Sequence, residues 1–167
     1  MVVVRCTRKL LARVLPPVIR EPPRSTTVLG DWYGNLVAAR PTHVVVFLSQ
    51  RSRLPVLLPG QGMRHLTGRF ADAVASVLGD IGVSSAAIQQ ERARMSEIVF
   101  ARTDSRSMLA SMNDFVINLK WLLQREPQWT LRQIAAELSE MPVGTLGHRS
   151  PGEVTLALMR EAEAPTA

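Results

Sequence analysis

The residue types best suited to chemistry are concentrated between residues 105 and 124, where the spacing of apolar residues predicts the longest helix of the chain. A helix turns by about 100° per residue, so polar residues three or four positions apart share a flank. Two polar stripes result, one of Ser107, Ser111, Asp114 and Asn118, the other of Arg106, Asn113 and Lys120. This helix could therefore present hydroxyl, amide, carboxylate and guanidinium groups together.

The N-terminal end of this helix suits an anion, because free backbone N–H groups there add to the charge of Arg106. Asp114 supplies a carboxylate that could act as a base. We therefore predict a polar pocket at the helix start, with the candidate ligand-binding residues Asp31, Trp32, Arg106, Ser107, Ser111, Asn113 and Asp114. The alternative is that these polar groups hydrogen-bond loop backbone or one another, as Asn and Asp often do.

A second apolar face lies between the two stripes, opposite the main apolar face of this helix. It consists of Ala110, Ile117 and Trp121. A helix that is apolar on two opposite sides is covered on both sides or meets a partner. We predict that this face joins a homo-oligomer or a toxin–antitoxin-type pair.

Signatures of metal, nucleotide and covalent chemistry are missing from the sequence. The three histidines stand alone, without the paired spacing of metal ligands, and Cys6 is the only cysteine. The turn at residues 59–62 lacks the Lys-Ser/Thr that follows the glycines of a phosphate-binding loop. We expect no metal and no cofactor, and we favour a non-catalytic protein while leaving an enzyme open.

Charge is distributed unevenly along the chain. Residues 1–64 contain ten Lys and Arg against two acids, whereas residues 65–167 contain ten against twelve. A basic half attracts polyanions, and the candidate contacts are Arg5, Arg8, Lys9, Arg13, Arg51 and Arg53. The expected partner is a nucleic acid or an acidic protein, and the alternative is that arginine serves here only to keep the surface hydrated.

The elements that must position these residues follow from apolar spacing and turn residues. Strands are predicted at 2–5, 43–49, 54–58 and 97–103, with a basic hairpin tip at 50–53. Helices are predicted at 8–15, 32–39 with Asp31 as its cap, 63–78, 85–95, 105–124, 131–141 and from 151 onward. This order predicts an α+β fold, with a small, mostly antiparallel sheet of about four strands packed with about six or seven helices.

Length and composition bound the organisation of the chain. A chain of 167 residues that is 46% hydrophobic is expected to form a single domain, which we place at residues 1–160 with a frayed tail at 161–167. No apolar run approaches the about 18 residues of a membrane span, and a lone cysteine fits a reducing compartment. We expect a cytoplasmic protein without membrane contact.

Four blocks of the sequence, at residues 4–11, 25–33, 52–59 and 103–115, resemble a bacterial domain family of unknown function, which is also found beside plasmid open-reading-frame-type domains. The most specific motifs are Leu29-Gly-Asp-Trp-Tyr33 and Arg106-Ser-Met-Leu-Ala-Ser-Met-Asn-Asp114. The family pattern has Asn where this chain has Ser105, and Gly where it has Ala110. The resemblance spans about residues 1–125 and implies a site at the long helix without implying an activity.

The functional hypotheses are therefore three. The first is a non-catalytic binding or accessory protein that contacts nucleic acid or an acidic partner through its basic N-terminal half. The second is a small-ligand-binding protein or enzyme with a polar pocket at the start of helix 105–124. The third is one component of a toxin–antitoxin-type pair.

Overall fold

A computed structural model describes residues 1–39 and 42–164, apart from the side chain of Arg64. These residues form five strands and six helices, together with short 3-10 turns at Met63–His65 and Gly144–Leu146. The strands are β1 (Val2–Cys6), β2 (Trp32–Ala39), β3 (Thr42–Ser49), β4 (Pro55–Pro59) and β5 (Ile98–Arg102). The helices are α1 (Arg8–Val14), α2 (Leu66–Asp80), α3 (Ser85–Arg94), α4 (Arg106–Arg125), α5 (Leu131–Glu140) and α6 (Pro151–Glu163).

All five strands belong to one mixed sheet in the order β4-β3-β2-β1-β5. β1 runs parallel to both of its neighbours, β2 and β5, whereas β3 is antiparallel to β2 and to β4. The α+β class is confirmed. The predicted sheet of about four mostly antiparallel strands is corrected to five strands with equal numbers of parallel and antiparallel pairs.

The additional strand is β2, which we predicted as a helix at 32–39. Trp32 and Leu36 stand four residues apart, a spacing that puts them on one side of a helix and equally on one face of a strand. In the structure β2 pairs along its length with β3, and Tyr33 and Val37 point to the opposite sheet face from Trp32 and Leu36. Asp31 caps no helix, because the residues that follow it form a strand, and its carboxylate bonds Arg5 and Ser25.

The sheet separates two apolar cores. On the first face, Val4, Trp32 and Phe47 pack with residues of α1, α2, α3 and α6. On the second face, Tyr33 and Val46 pack with residues of α4 and α5. We call these the aromatic face and the α4 face of the sheet.

The two parallel strands β1 and β5 are followed by helices that pack on opposite faces of the sheet, and this difference positions the site. β1 leads into α1, which packs on the aromatic face, and β5 leads into α4, which packs on the α4 face. Cys6 and Arg102 pair at the ends of these two adjacent strands. The chain therefore leaves the same edge of the sheet in two opposite directions, the arrangement that opens a crevice in α/β proteins.

Capping contacts confirm the helix starts that were predicted at 85, 105, 131 and 151. Ser84 and Ser105 accept hydrogen bonds from backbone N–H groups of α3 and α4, and Thr130 and Ser150 form complete capping boxes. α6 continues to Glu163, past the boundary predicted at residue 160, and residues 165–167 of the predicted tail lie outside the described residues. Among the described helices, none combines the length and apolar character needed to cross a bilayer.

Candidate functional site

A network of charged and polar side chains surrounds Arg5 on the α4 face. Arg5 lies level with Tyr33 on β2 and with Ala101 on β5. Its Nε donates to Asp31 Oδ2 at 2.6 Å, and its Nη1 lies 2.8 Å from Asp104 Oδ2. Burial alone would lower the pKa of Arg5, but the hydrogen bond to Asp31 and the charges of Asp104 and Asp31 raise that pKa above its ordinary value. Arg5 is thus held as a permanent cation.

Both carboxylates around Arg5 have further partners. Ser25 Oγ donates to Asp31 Oδ1 at 2.7 Å, and Gln50 Oε1 accepts from the Asp31 backbone N–H at 3.2 Å. Tyr33 Oη donates to Asp104 Oδ1 at 2.6 Å. Burial and the hydrogen bond to Asp104 raise the pKa of Tyr33 well above its ordinary value. The network therefore connects the start of β2 to the turn before α4.

The C-terminal ends of β1 and β5 lie directly beyond this network. Thr7 follows β1 and donates from Oγ1 to Asn35 Oδ1 at 2.9 Å. Four cations belong to the turns and helix starts at this edge and have exposed side chains: Arg8 and Lys9 at the start of α1, Arg102 at the end of β5, and Arg106 at the start of α4. We call these four residues the basic edge.

Residues 3–154 match a family described as a domain of unknown function, DUF6933. The chain belongs to this family. The resemblance to an unknown-function family is thereby confirmed. A search of curated proteins found no match.

Three of the four blocks that carry the resemblance meet in the polar network of this DUF6933 chain. Arg5 comes from the first block, Ser25, Asp31 and Tyr33 from the second, and Asp104 from the fourth. The third block contributes Arg53, whose Nε donates to Ser111 Oγ of the fourth block at 3.3 Å. Segments far apart in the DUF6933 sequence therefore converge on one region of the α4 face.

The predicted pocket residues are only partly brought together. Asp31 is connected through Arg5 to Asp104, which lies in the turn before α4. Trp32 is fully buried on the aromatic face, where its ring lies 5.4 Å from that of Phe70. Trp32 is therefore removed from the predicted pocket, because neighbouring residues of a strand point to opposite faces.

The polar residues of α4 mostly face outward. Arg106, Ser107, Asn113 and Asp114 have exposed side chains and make no side-chain hydrogen bond within the described residues. The start of α4 is instead capped by Ser105, whose Oγ accepts from the Met108 N–H at 3.2 Å. A closed pocket around Arg106 is thus not formed, and the helix start is an open surface.

One stripe of α4 does border a cleft. Ser111, Asp114 and Asn118 form its polar side, while α5 and the turn after it form an apolar side. The cleft has a volume of about 250 Å³ and is lined by Ser111, Asp114, Phe115, Asn118, Leu138, Met141, Pro142, Val143 and Gly144. We call it the α4–α5 cleft.

The predicted polyanion contacts fall into two groups. Arg8, Lys9 and Arg13 on α1 have exposed side chains that are free of ion pairs with described residues. Arg5 is committed to two carboxylates, Arg51 donates to the Val28 carbonyl at 2.7 Å, and Arg53 is half-buried beside Ser111. Only the first group is available in full to a polyanion.

The predicted partner face of α4 is open to solvent. Ile117 is 66% and Trp121 48% exposed, and Ala110 is exposed beside them. The guanidinium of Arg125 lies over the Trp121 ring, 4.8 Å from its centroid. This face is uncovered in the described chain, as a partner surface requires.

Metal and thiol chemistry find no support in the described residues. No group of three or more His, Cys, Asp or Glu side chains in them could hold a metal ion. Burial raises the pKa of Cys6 to about 12, so its thiol stays protonated and is a poor nucleophile at neutral pH.

Several residues of the site were missed from the sequence. Tyr33, Asp104 and Arg102 were assigned no role, and Arg106 was not expected at the same edge of the sheet as Arg8. The aromatic and β-branched residues Trp32, Tyr33 and Val37 were the available signal for a strand, and a strand there would have pointed Tyr33 away from Trp32. The pairing of β1 with β5 has no local signal in the sequence.

Proposed function

We propose that the protein is a non-catalytic binding protein that holds nucleic acid through its phosphate backbone at the basic edge. The observation that carries the proposal is that Arg8, Lys9, Arg102 and Arg106 have exposed side chains at the edge of the sheet from which α1 and α4 lead to opposite faces. Residues 1–20 contain five Lys and Arg and no acid. Counter-ion release favours phosphate binding at such a surface.

The one acid in the turn between β5 and α4 does not cancel this charge. Asp104 is ion-paired with Arg5 and accepts a hydrogen bond from Tyr33. Arg5 also pairs with Asp31, so this network of one cation and two carboxylates keeps a net charge of −1 and offsets only one of the four positive charges of the basic edge.

An extended polyanion suits the basic edge better than a small ligand does. The four cations are exposed and are carried by separate elements, α1, β5 and α4. Flexible exposed cations contact successive phosphates well, whereas small ligands are held in concave and mostly apolar pockets. Nucleic acid backbone supplies negative charge at a regular spacing across such a surface.

Fluorescence anisotropy with labelled single-stranded and duplex oligonucleotides, titrated at several salt concentrations, tests this proposal. The variant R8Q/K9Q/R102Q/R106Q removes the basic edge. Its matched control, K120Q/R125Q/R149Q/R160Q, loses the same charge from exposed positions elsewhere. For duplex, we expect the slope of log K against log salt to fall by about 0.9 for each phosphate that is no longer neutralised, or about 3.6 in the first variant.

The control variant distinguishes binding at the basic edge from an effect of net charge alone. Equal losses of affinity in both variants would show that only net charge matters, and absence of binding at low salt would refute the proposal. Binding of polyglutamate in preference to either oligonucleotide would assign the basic edge to an acidic protein instead.

A second role is favoured by the exposed apolar face of α4. We propose that Ala110, Ile117 and Trp121 contact a second copy of the chain, since an isologous pair buries the same patch on both subunits. Light scattering after gel filtration is expected to show a dimer for the native chain and a monomer for I117D/W121D. A monomeric native chain at all concentrations would leave a different protein, such as the other half of a toxin–antitoxin-type pair, as the partner of this face.

A further inference from the structure

The α4–α5 cleft is separate from the basic edge and has a divided lining. Ser111, Asp114 and Asn118 stand on its α4 side. The opposite side is apolar and is formed by Leu138, Met141, Pro142 and Val143. At about 250 Å³ the cleft is smaller than the roughly 300–1,000 Å³ of sites for drug-sized ligands. Its size and lining therefore suit a small molecule with one polar end and one apolar end.

Arg53 does not line this cleft, but it bonds Ser111 on the polar side from behind the lining. Its backbone has φ of 59°, a left-handed conformation that is strained for a residue with a side chain. Its Nε donates to Ser111 Oγ and its Nη1 to the Gln50 carbonyl, while its Nη2 has no acceptor among the described residues. Burial lowers the pKa of Arg53, and no described carboxylate pairs with it. A half-buried guanidinium of this kind attracts an oxyanion.

Ser111 adds a second donor at the same place. This residue is 4% exposed and lines the cleft, and its Oγ accepts from Arg53. Within the described part of the chain, the Ser111 hydroxyl hydrogen has no acceptor, unlike that of Ser139, which donates to the carbonyl four residues earlier. Because Ser111 lines the cleft, this hydrogen can be donated to a molecule that enters the cleft. A ligand oxygen in the cleft would accept this hydrogen and would be attracted by the charge of Arg53.

Asp114 decides which kind of anion can enter. It borders the same cleft one helical turn from Ser111 and forms no ion pair with the described residues. A simple anion would be repelled by this carboxylate, whereas a ligand with an ammonium group would be attracted to it. Opposite charges therefore flank Ser111, with Arg53 on one side and Asp114 on the other.

We propose that the α4–α5 cleft binds a small zwitterion of the α-amino acid class with an apolar side chain. Its carboxylate accepts from Ser111 and is attracted by the positive charge of Arg53 behind Ser111, and its ammonium group donates to Asp114. Its side chain packs against Leu138 and Val143. This site would make the protein a sensor or carrier of a small metabolite in addition to its proposed role at the basic edge.

Calorimetric titration of the whole protein with three probes tests the charge requirement. The probes are L-leucine, 4-methylpentanoate, which lacks the amine, and 3-methylbutylamine, which lacks the carboxylate. We expect leucine to bind about tenfold or more tightly than either analogue, because each analogue leaves one charged partner unmatched. No leucine binding, or equal binding of leucine and one analogue, would overturn the proposal.

Two variants assign the two ends of the ligand. D114N is expected to weaken leucine binding by about tenfold and to leave 4-methylpentanoate unchanged or bound more tightly. R53Q is expected to weaken binding of 4-methylpentanoate and to leave that of 3-methylbutylamine unchanged. The control S107A alters an exposed serine of α4 outside the cleft lining and should change none of the three affinities. Uniform losses with all three probes would contradict the assignment.

These variants also test the α4–α5 cleft independently of the basic edge. D114N removes a negative charge and R53Q a positive one, yet neither is a residue of the basic edge. We expect both to retain the oligonucleotide affinity of the native chain to within the small effect of one unit charge. Either proposal can therefore fail while the other stands.

Discussion

The two faces of the sheet differ in what they bury, although they share the same strands. On the aromatic face, Trp32, Phe47 and Phe70 form a continuous apolar cluster, with the Phe47 and Phe70 rings 4.5 Å apart. On the α4 face, the apolar core ends at a charged network around Arg5. The aromatic face is core, and the groups able to bind ligands lie on the α4 face or at the edge of the sheet.

The consecutive residues Trp32 and Tyr33 show how the two faces of the sheet differ. Trp32 is buried with no acceptor for its Nε1 among the described residues, whereas Tyr33 is buried with a short hydrogen bond to Asp104. One aromatic residue thus leaves a donor unpaired, at a cost in free energy that its packing offsets. The other uses its polar atom in the network, so the position of a side chain in a strand decides its role.

The largest expected effect is on the aromatic face. W32A should lower the free energy of unfolding by about 3–5 kcal/mol, because it opens a cavity against Phe70. W32F should cost clearly less, since it keeps an aromatic ring and removes the unpaired Nε1–H. Urea unfolding followed by circular dichroism measures both. Equal losses of stability for the two variants would contradict the role given to aromatic packing on this face.

The next effect concerns the network. R5M should lower the free energy of unfolding by about 3 kcal/mol, because it leaves the buried Asp31 carboxylate without its ion-pair partner. D104N, at an exposed carboxylate, should cost about 1 kcal/mol or less. The same urea experiment compares them. A cost for R5M no greater than that for D104N would mean that the network is solvated and that the two faces differ less than proposed.

A smaller effect concerns Tyr33 and alkaline pH. Its pKa lies above the ordinary value of 10 in the folded chain, first because of burial and then because of Asp104. The contribution of Tyr33 to stability is therefore fully present below pH 10 and is lost as the pH rises through the higher folded-state pKa. Y33F should cost about 1 kcal/mol at neutral pH and should reduce the loss of stability on raising the pH.

Absorbance titration checks this directly, since Tyr33 is the only tyrosine of the chain. Tyrosinate should form only together with alkaline unfolding in the native protein. In D104N it should form at lower pH, because one of the causes that raise the pKa is removed. Ionisation near pH 10 in the folded native chain would contradict the buried hydrogen bond.

Much of the helical part of the fold could be predicted from local patterns. α4, with its apolar face and two polar stripes, and the starts of α5 and α6 follow from periodicity and capping residues. The strand β2 could not be distinguished from a helix by the spacing of Trp32 and Leu36 alone. Pairing with β1 and β3 decided it, and that pairing is a long-range property.

The site was less predictable than the fold for a related reason. The ion pair between Arg5 and Asp104 joins the end of β1 to the turn after β5, two segments that are far apart in the sequence. The distribution of charge identified Arg5, Arg8 and Lys9 as basic but could not show that Arg5 is paired internally while the other two stay exposed. Burial and partners separate a structural arginine from a binding one.

The most direct test of the basic edge is the map of backbone amide chemical-shift changes in the native protein on adding an oligonucleotide. We predict that the largest changes fall at residues 7–9 and 102–107, the turns and helix starts that carry Arg8, Lys9, Arg102 and Arg106, and that they fade as salt is added. The proposal would be contradicted if the changes were centred on α2 and α3, or on the exposed face around Trp121, and none fell at residues 7–9 or 102–107.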